Sequence, residues 1–288
     1  MISIIICSIH PEQVCALEKN ITNTIGIPFE LIVHDNREIN WGLARVYNTC
    51  ALKAKFDVLF FIHEDLQFNT DNWGIRLIEQ IQQPECGVIG FAGSKIKCRS
   101  YSGWEQVAKY NYMNCVQHFK RTKKIVRFHI SDSDSFISCI TLDGMALMVR
   151  KKVWQEFPFD EKLLQGFHCY DLDFSLQVSQ KYTNYVCNTI EIEHFSEGNF
   201  DTTWIETTFL FHKKWISCLP VYVGDFSKRE LKENEEHMSY WFVRAMMKSS
   251  YPLKKIWPFA WKYIRKEHFL KHSGTIILKF IIALCGYR

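Results

Sequence analysis

The sequence predicts an α/β fold, a mixed and mostly parallel sheet flanked by helices and followed by a helical C-terminal extension. Three observations point there. Four strand-length apolar runs lie within residues 1–92, helically spaced stretches separate them, and polar residues follow the first three runs at once. Unbroken apolar strands alternating with amphipathic stretches are what a sheet covered on both faces requires.

In order, Ile2–Cys7 is a β-branched strand, and Pro11 to Ile25 is an amphipathic helix ending near Gly26. Phe29–His34 is the second strand, followed by a turn-like Asp35-Asn36. Trp41 to Lys55 has helical spacing through Leu43, Val46, Tyr47, Cys50 and Ala54. Asp57–Ile62 is a third buried strand, Trp73–Gln82 a helix and Gly87–Ala92 a fourth strand. From residue 93 to about 135 the periodicity fades, and the segment reads as an irregular insertion of the length that functional loops have. Strands resume at Phe136–Thr141 and Met145–Val149, with Asp143-Gly144 between them. Tyr170 to Lys181 is helical, Tyr185–Glu193 a strand and Thr203–Ile216 a helix, with Trp204, Phe209, Phe211 and Trp215 expected to pack against the sheet. The remainder is helical, with breaks expected at Pro252 and Pro258. This divides the chain into a body at 1–218 and an extension at 219–288.

With 47% hydrophobic and 23% charged residues the 288-residue chain has core-forming material, which excludes a disordered or collagen-like protein. No apolar run approaches the roughly 18–20 residues that span a bilayer, and the first residues lack the basic stretch of a signal peptide. Eleven scattered cysteines with no Cys-x-x-Cys pair read as free thiols of a reducing cytosol. Charge is uneven. Residues 239–288 carry ten basic side chains and one acid, against 25 and 30 in residues 1–238. Such a segment suits a polyanionic neighbour, although a solvated helical face has the same composition. Trp241, Phe242, Trp257, Trp261 and Tyr263 interleave with these cations, and Thr275–Cys285 is an apolar run too short to cross. Aromatic rings among cations suit an anionic membrane surface. Nucleic acid is the less favoured occupant, because the apolar run has no use there, and a homo-oligomer contact is a further alternative.

Ligands of open α/β sheets bind beyond the carboxyl ends of the strands. Those ends carry Ser8, Asp35 and His63-Glu64-Asp65, and later Asp143, Asp171, Asp173 and His194. Neither Gly-x-Gly-x-x-Gly nor a Walker-type loop is present, so a phosphate-bearing ligand would need a divalent cation held by carboxylates.

The layout resembles the family-2 glycosyltransferases of the nucleotide-diphospho-sugar (GT-A) fold. Ile4-Ile5-Ile6-Cys7-Ser8 and Leu31-Ile32-Val33-His34-Asp35-Asn36 are similar to that family's first two strands. Asn40 to Asn48, with Ala51 and Ala54, is similar to its glycine-to-asparagine helix, and Asp57 to Asp65 to the strand bearing Asp-x-Asp. Leu142-Asp143-Gly144, Phe159-Asp160-Glu161 and Tyr170-Asp171-Leu172-Asp173 resemble the acceptor side, and His194-Phe195-Ser196 the late metal-binding histidine. The likeness covers roughly residues 1–200.

The resemblance implies roles. Asp35 would accept a hydrogen bond from the base, best suited to the imide of uracil. Ser8, Glu64 and His63 would line the nucleotide site with Glu64 facing the ribose, and Asp65 with His194 would hold Mn2+ or Mg2+. Asp171 would be the base of an inverting transfer from a nucleotide-sugar donor to a glycan or lipid-linked saccharide acceptor, beside a cytoplasmic membrane face. Asp143, Gly144 and His168 would touch acceptor or donor sugar, although Asp143 also suits a turn and His168 a packed loop. Arg45 reaches the nucleotide or is a solvated helix arginine. Asp173 reads as a cap or ion-pair partner. Two positions depart from the family: His63 stands where the first Asp of Asp-x-Asp is usual, and Tyr170 where Glu often precedes the base. Those departures keep open a sugar-nucleotide-binding protein without turnover.

Overall fold

The computed structural model describes residues 1–265 together with Gly274 and Ile277. Apart from Ile277, the run Thr275–Cys285 lies outside the described residues. Along the chain come β1 (Ile2–Ser8), α1 (Pro11–Thr24), β2 (Phe29–Asp35), α2 (Leu43–Lys53), β3 (Val58–Ile62), β4 (Leu66–Phe68), α3 (Trp73–Ile81) and β5 (Cys86–Gly90). Then follow β6 (Ala92–Ser94), β7 (Ile96–Lys97), β8 (Asn111–Met113), β9 (Cys115–Phe119), β10 (Lys124–Phe128), β11 (Phe136–Cys139), β12 (Thr141–Leu142) and β13 (Ala146–Arg150). The last are α4 (Lys151–Glu156), α5 (Tyr170–Ser179), β14 (Thr183–Cys187), β15 (Ile192–His194), α6 (Thr202–Trp215), β16 (Val221–Tyr222), α7 (Lys228–Lys248) and α8 (Leu253–Arg265).

The chain forms two interleaved compact units. One comprises 1–97, 103–198 and 220–224, and the other comprises 98–102, 199–219 and 225–288. The division differs from a cut after 218, because residues 98–102 join the second unit and the short pairing of β16 with β7 belongs to the first.

The first unit is built on a seven-stranded sheet in the order β11-β14-β5-β13-β3-β1-β2. β2, β1 and β3 are mutually parallel, as are β5 and β14, while β13 runs antiparallel to both β3 and β5 and β11 antiparallel to β14. Side chains alternate across the sheet. Ile4 and Ile6 enter one core with Leu17, Ile21, Trp73 and Leu77, so α1 and α3 cover that face. Ile5 enters the other with Tyr47, Phe61, Trp154 and Phe174, so α2, α4 and α5 cover the opposite face. Burying each such side chain contributes roughly 1.5–3 kcal/mol, which is why the unbroken apolar runs become central strands.

The 93–135 segment is more ordered than its composition suggests. It contributes β7 to β10 and part of β6, and β9 and β10 form an antiparallel pair. A smaller sheet results, in the order β10-β9-β15-β4. The expected strand 185–193 is two strands, β14 and β15, which serve different sheets.

The second unit is helical. Asp201 caps α6 by accepting from the Trp204 N–H at 2.9 Å, and Ser227 with Glu230 forms a capping box on α7. Trp204, Ile205, Phe242, Val243, Met246, Ile256 and Ala260 form its core, with Tyr101 stacked on Phe242 at 5.1 Å. Trp204 and Phe209 therefore pack among helices. α8 runs through Pro258 instead of breaking there; Ile256, Ala260 and Tyr263 on its buried face hold it despite the lost hydrogen bond. Among the described residues ten cysteines are free, and no helix is long and apolar enough to cross a membrane.

Candidate active site

The site forms where the seven-stranded and the four-stranded sheets meet, at the turn His63-Glu64-Asp65 between β3 and β4. β15 lies between β4 and β9, with His194 opposite Leu66 on one side and Gln117 on the other. That register carries His194 to Asp65, and the Phe195 N–H closes the turn by donating to the Asp65 carbonyl at 3.0 Å. One potential ligand atom each from His63, Asp65 and His194 lie within 4.8 Å of one another. Two imidazoles and a carboxylate suit a divalent transition ion such as Mn2+ or Zn2+ better than an all-oxygen Mg2+ site. His63, placed by sequence with the nucleotide contacts, thus joins the cation cluster.

Electrostatics favour ligand-ready states. Burial pushes the His63 ring below the ordinary imidazole range and His194 adds to this, against opposing charge from Asp65, Asp143 and Glu64. A neutral ring keeps a lone pair. Burial would raise the Asp65 carboxyl, but contact with His194, the nearby His63 and a hydrogen bond from Ser196 together hold it far below the carboxylate range.

The antiparallel insertion of β13 brings the second half of the site alongside. The His63 N–H donates to the Met145 carbonyl at 2.9 Å, which sets Asp143-Gly144 against the end of β3. Gly144 donates its N–H to Asp171 Oδ2 at 3.0 Å, and the Tyr170 hydroxyl donates to the Gly144 carbonyl at 2.9 Å. A Cβ at Gly144 would overlap the Tyr170 hydroxyl oxygen and come within 2.6 Å of its ring carbon, so only glycine allows this approach. Cys169, in the left-handed conformation at φ 62°, turns the chain into α5 and aims Tyr170 and Asp171 here. Desolvation, then the charge of Asp143, raises the Asp171 carboxyl to about 7, against lowering by backbone N–H groups including that of Gly144. Desolvation and Asp143 also raise Glu105, a residue of the 93–135 segment that no motif singles out.

Other candidates separate into two groups. Glu64 is 8% exposed and accepts from the Ser8 hydroxyl at 2.6 Å, the Ile9 N–H at 3.2 Å and the His10 N–H at 3.0 Å. Its oxygens clamp the β1–α1 loop, so Glu64 and Ser8, both expected as nucleotide contacts, are bonded to each other. Asp35 stands at the tip of β2 beside Ser8, exposed, with its carboxylate engaged by Arg37 at 2.5–3.1 Å, which lowers it to about 2. Arg45 is exposed and lies over the Trp41 ring at 3.9 Å, and Trp41 stacks on His34 at 5.2 Å. His168 is half-buried, with its ring 5.5 Å from Phe167. Phe167 itself is 57% exposed with its ring 6.0 Å from that of His63. Asp173, 1% exposed, accepts from the Gln177 side chain at 2.7 Å and is structural. Sequence reasoning missed Gln117, Tyr170 as a partner of His63, and Phe167; only the departure at Tyr170 was visible beforehand.

None of the curated proteins matches this sequence. Among solved structures, GalNAc-T7 in complex with UDP, GalNAc and Mn2+ is similar over 88% of this chain at 13% identity and a TM-score of 0.52, and this chain spans 58% of that one. The mannosyltransferase PcManGT of Pyrobaculum calidifontis, in complex with GDP-Man and Mn2+, is similar over 99% of this chain and 86% of its own, at 10% identity and a TM-score of 0.51. At such identities the likeness is one of fold, the GT-A glycosyltransferase fold. Residues 3–214 match the profile described as "Glycosyltransferase like family". That match spans the seven-stranded sheet, the His63-Asp65-His194 cluster and Asp171, and the chain belongs to the glycosyltransferase-like family.

Proposed function

We propose that the protein is an inverting glycosyltransferase that moves a sugar from a nucleotide-diphospho-sugar, UDP-linked in our reading, to a glycan or lipid-linked saccharide. The observation that carries this is one hydrogen-bonded junction, in which Gly144 and Tyr170 tie a half-buried carboxyl, Asp171, to the side of His63 in the cation cluster. His63, Asp65 and His194 would hold a divalent cation. When bound, it neutralises charge on the departing nucleoside diphosphate.

Asp171 would take the proton from the acceptor hydroxyl as that oxygen attacks the anomeric carbon and the bond to the diphosphate breaks. A single displacement needs one base and inverts the anomeric centre. A carboxyl raised to about 7 suits that task, since its ionised form is present at neutral pH and is more basic than an ordinary aspartate. The complexes of the fold relatives, one with UDP, GalNAc and Mn2+ and one with GDP-Man and Mn2+, support this reading.

D65N and D171N should each abolish product formation from a panel of UDP-, GDP-, CDP- and dTDP-sugars while leaving the unfolding transition cooperative. Full activity in either would overturn the assignment. Wild-type binding of a sugar nucleotide with no product from any acceptor would favour the binding protein without turnover.

The second unit is proposed to meet an anionic membrane surface. Trp257 and Trp261 on α8 are 47% and 44% exposed and stack at 5.5 Å, Arg265 lies over Trp261, and Lys254, Lys255 and Lys262 share the helix. W257Q with W261Q should lose flotation with phosphatidylglycerol vesicles. Salt-steep RNA binding with indifference to vesicles would assign the face to nucleic acid instead.

A further inference from the structure

We infer that Gln117 is a positioning residue that fixes the tautomer of His194 and so presents the Nε2 lone pair to the cation site. The inference rests on the proposed role of the His63-Asp65-His194 cluster and deepens it. Gln117 lies on β9, 7% exposed, within the 93–135 segment, where no single residue stood out by sequence.

The orientation of its amide follows from its surroundings. The amide nitrogen faces three carbonyl oxygens, those of His118 at 2.9 Å, Ser196 at 2.5 Å and His194 at 3.4 Å. Carbonyls only accept, so the NH2 group belongs on that side. The reversed amide would set its oxygen against all three. Oε1 is therefore the atom 3.0 Å from His194 Nδ1. An amide oxygen cannot donate, so Nδ1 must carry a hydrogen. With Nδ1 protonated, loss of the Nε2 proton, which otherwise pairs with Asp65 Oδ1 3.5 Å away, leaves the ring's lone pair at Nε2.

Without Gln117 nothing at Nδ1 would select this tautomer, and the free side chain prefers the opposite one. Gln117 also grips the strand on both sides of Phe195 through the His194 and Ser196 carbonyls, which fixes the ring's plane. Being neutral, it orients the ligand without adding charge to the cluster. Partners of this kind around metal-binding histidines are worth about 10- to 100-fold in metal affinity.

Two measurements test the inference. The first uses metal-free wild-type protein and long-range 1H–15N correlation spectra, at a pH where the His194 ring is neutral. Nδ1 should be the protonated nitrogen; a ring protonated at Nε2 overturns the inference with no metal or variant involved. The second titrates Mn2+ alone into wild type, Q117M and D65N, following unbound Mn2+ by electron paramagnetic resonance. Q117M should retain a cooperative unfolding transition and bind about 10- to 100-fold more weakly than wild type, and D65N should show no specific site. Wild-type affinity in Q117M beside lost affinity in D65N would sink the role of Gln117 and leave the cation site standing. Absence of Mn2+ binding in wild type itself would overturn the cation reading and the positioning role with it.

Discussion

His63 Nε2 lies 3.1 Å from the hydroxyl of Tyr170. The two positions at which this chain departs from the family pattern are therefore a bonded pair. Because the Tyr170 hydroxyl spends its only proton on the Gly144 carbonyl, it accepts from His63, which leaves Nδ1 as the nitrogen with a lone pair. Burial keeps that hydroxyl protonated, raising it well above the usual tyrosine range. Histidine for aspartate and tyrosine for glutamate thus make local sense together.

Y170F tests the pair. It keeps the ring and deletes two hydrogen bonds, so urea unfolding should show a loss of about 1–3 kcal/mol. Mn2+ affinity should fall as well, since His63 is freed to change tautomer. Unchanged values for both would mean that the contact is incidental.

Asp171 should impose a pH signature on activity and on stability, with opposite senses. As a base it must be ionised, so kcat/KM should rise through about pH 7. Its ordinary value is 3.8, so between about pH 4 and 7 the folded chain holds a proton that the unfolded chain has released. Stability from this group is complete below about pH 4 and is lost as the pH climbs to 7. D171N should accordingly be inactive, yet melt higher than wild type at pH 8, with the gap closing towards pH 5.

Glu64 should matter to folding before it matters to substrate. Three donors converge on its buried carboxylate from the β1–α1 loop. E64A strands the Ser8 hydroxyl and two N–H groups and should cost about 2–3 kcal/mol in chemical denaturation. If E64A were as stable as wild type and only weakened nucleotide binding, the ribose contact expected from the sequence would be restored.

Phe167 should show the reverse profile. At 57% exposure it contributes little to the core, and its ring lies beside His63 where sugar rings would stack. F167A should leave Tm within about a degree or two of wild type, as surface changes do. KM for acceptor or donor should rise several-fold. A fall in Tm with unaltered kinetics would make Phe167 a packing residue.

The sequence alone disclosed the alternation that builds the sheet, because a strand with both faces buried must be apolar throughout and its helices must repeat every three to four residues. It also disclosed the acids and histidine at the strand ends, since a buried run must stop where the chain meets solvent or ligand. Asp65 and His194 were selected that way, and Asp171, in the first turn of a helix, with the help of the family likeness that also added their roles. Local pattern was silent on the rest. The strands within 93–135 depend in part on partners far along the chain; β9 pairs with its neighbour β10 on one edge but with the distant β15 on the other. Whether Glu64 meets a ribose or Ser8, and whether Asp35 faces a base or Arg37, depends on which donors folding brings near. The proton positions on His63 and His194 belong to the same class, being set by Tyr170 and Gln117 from distant segments through hydrogen bonds that exist only once the sheets have closed.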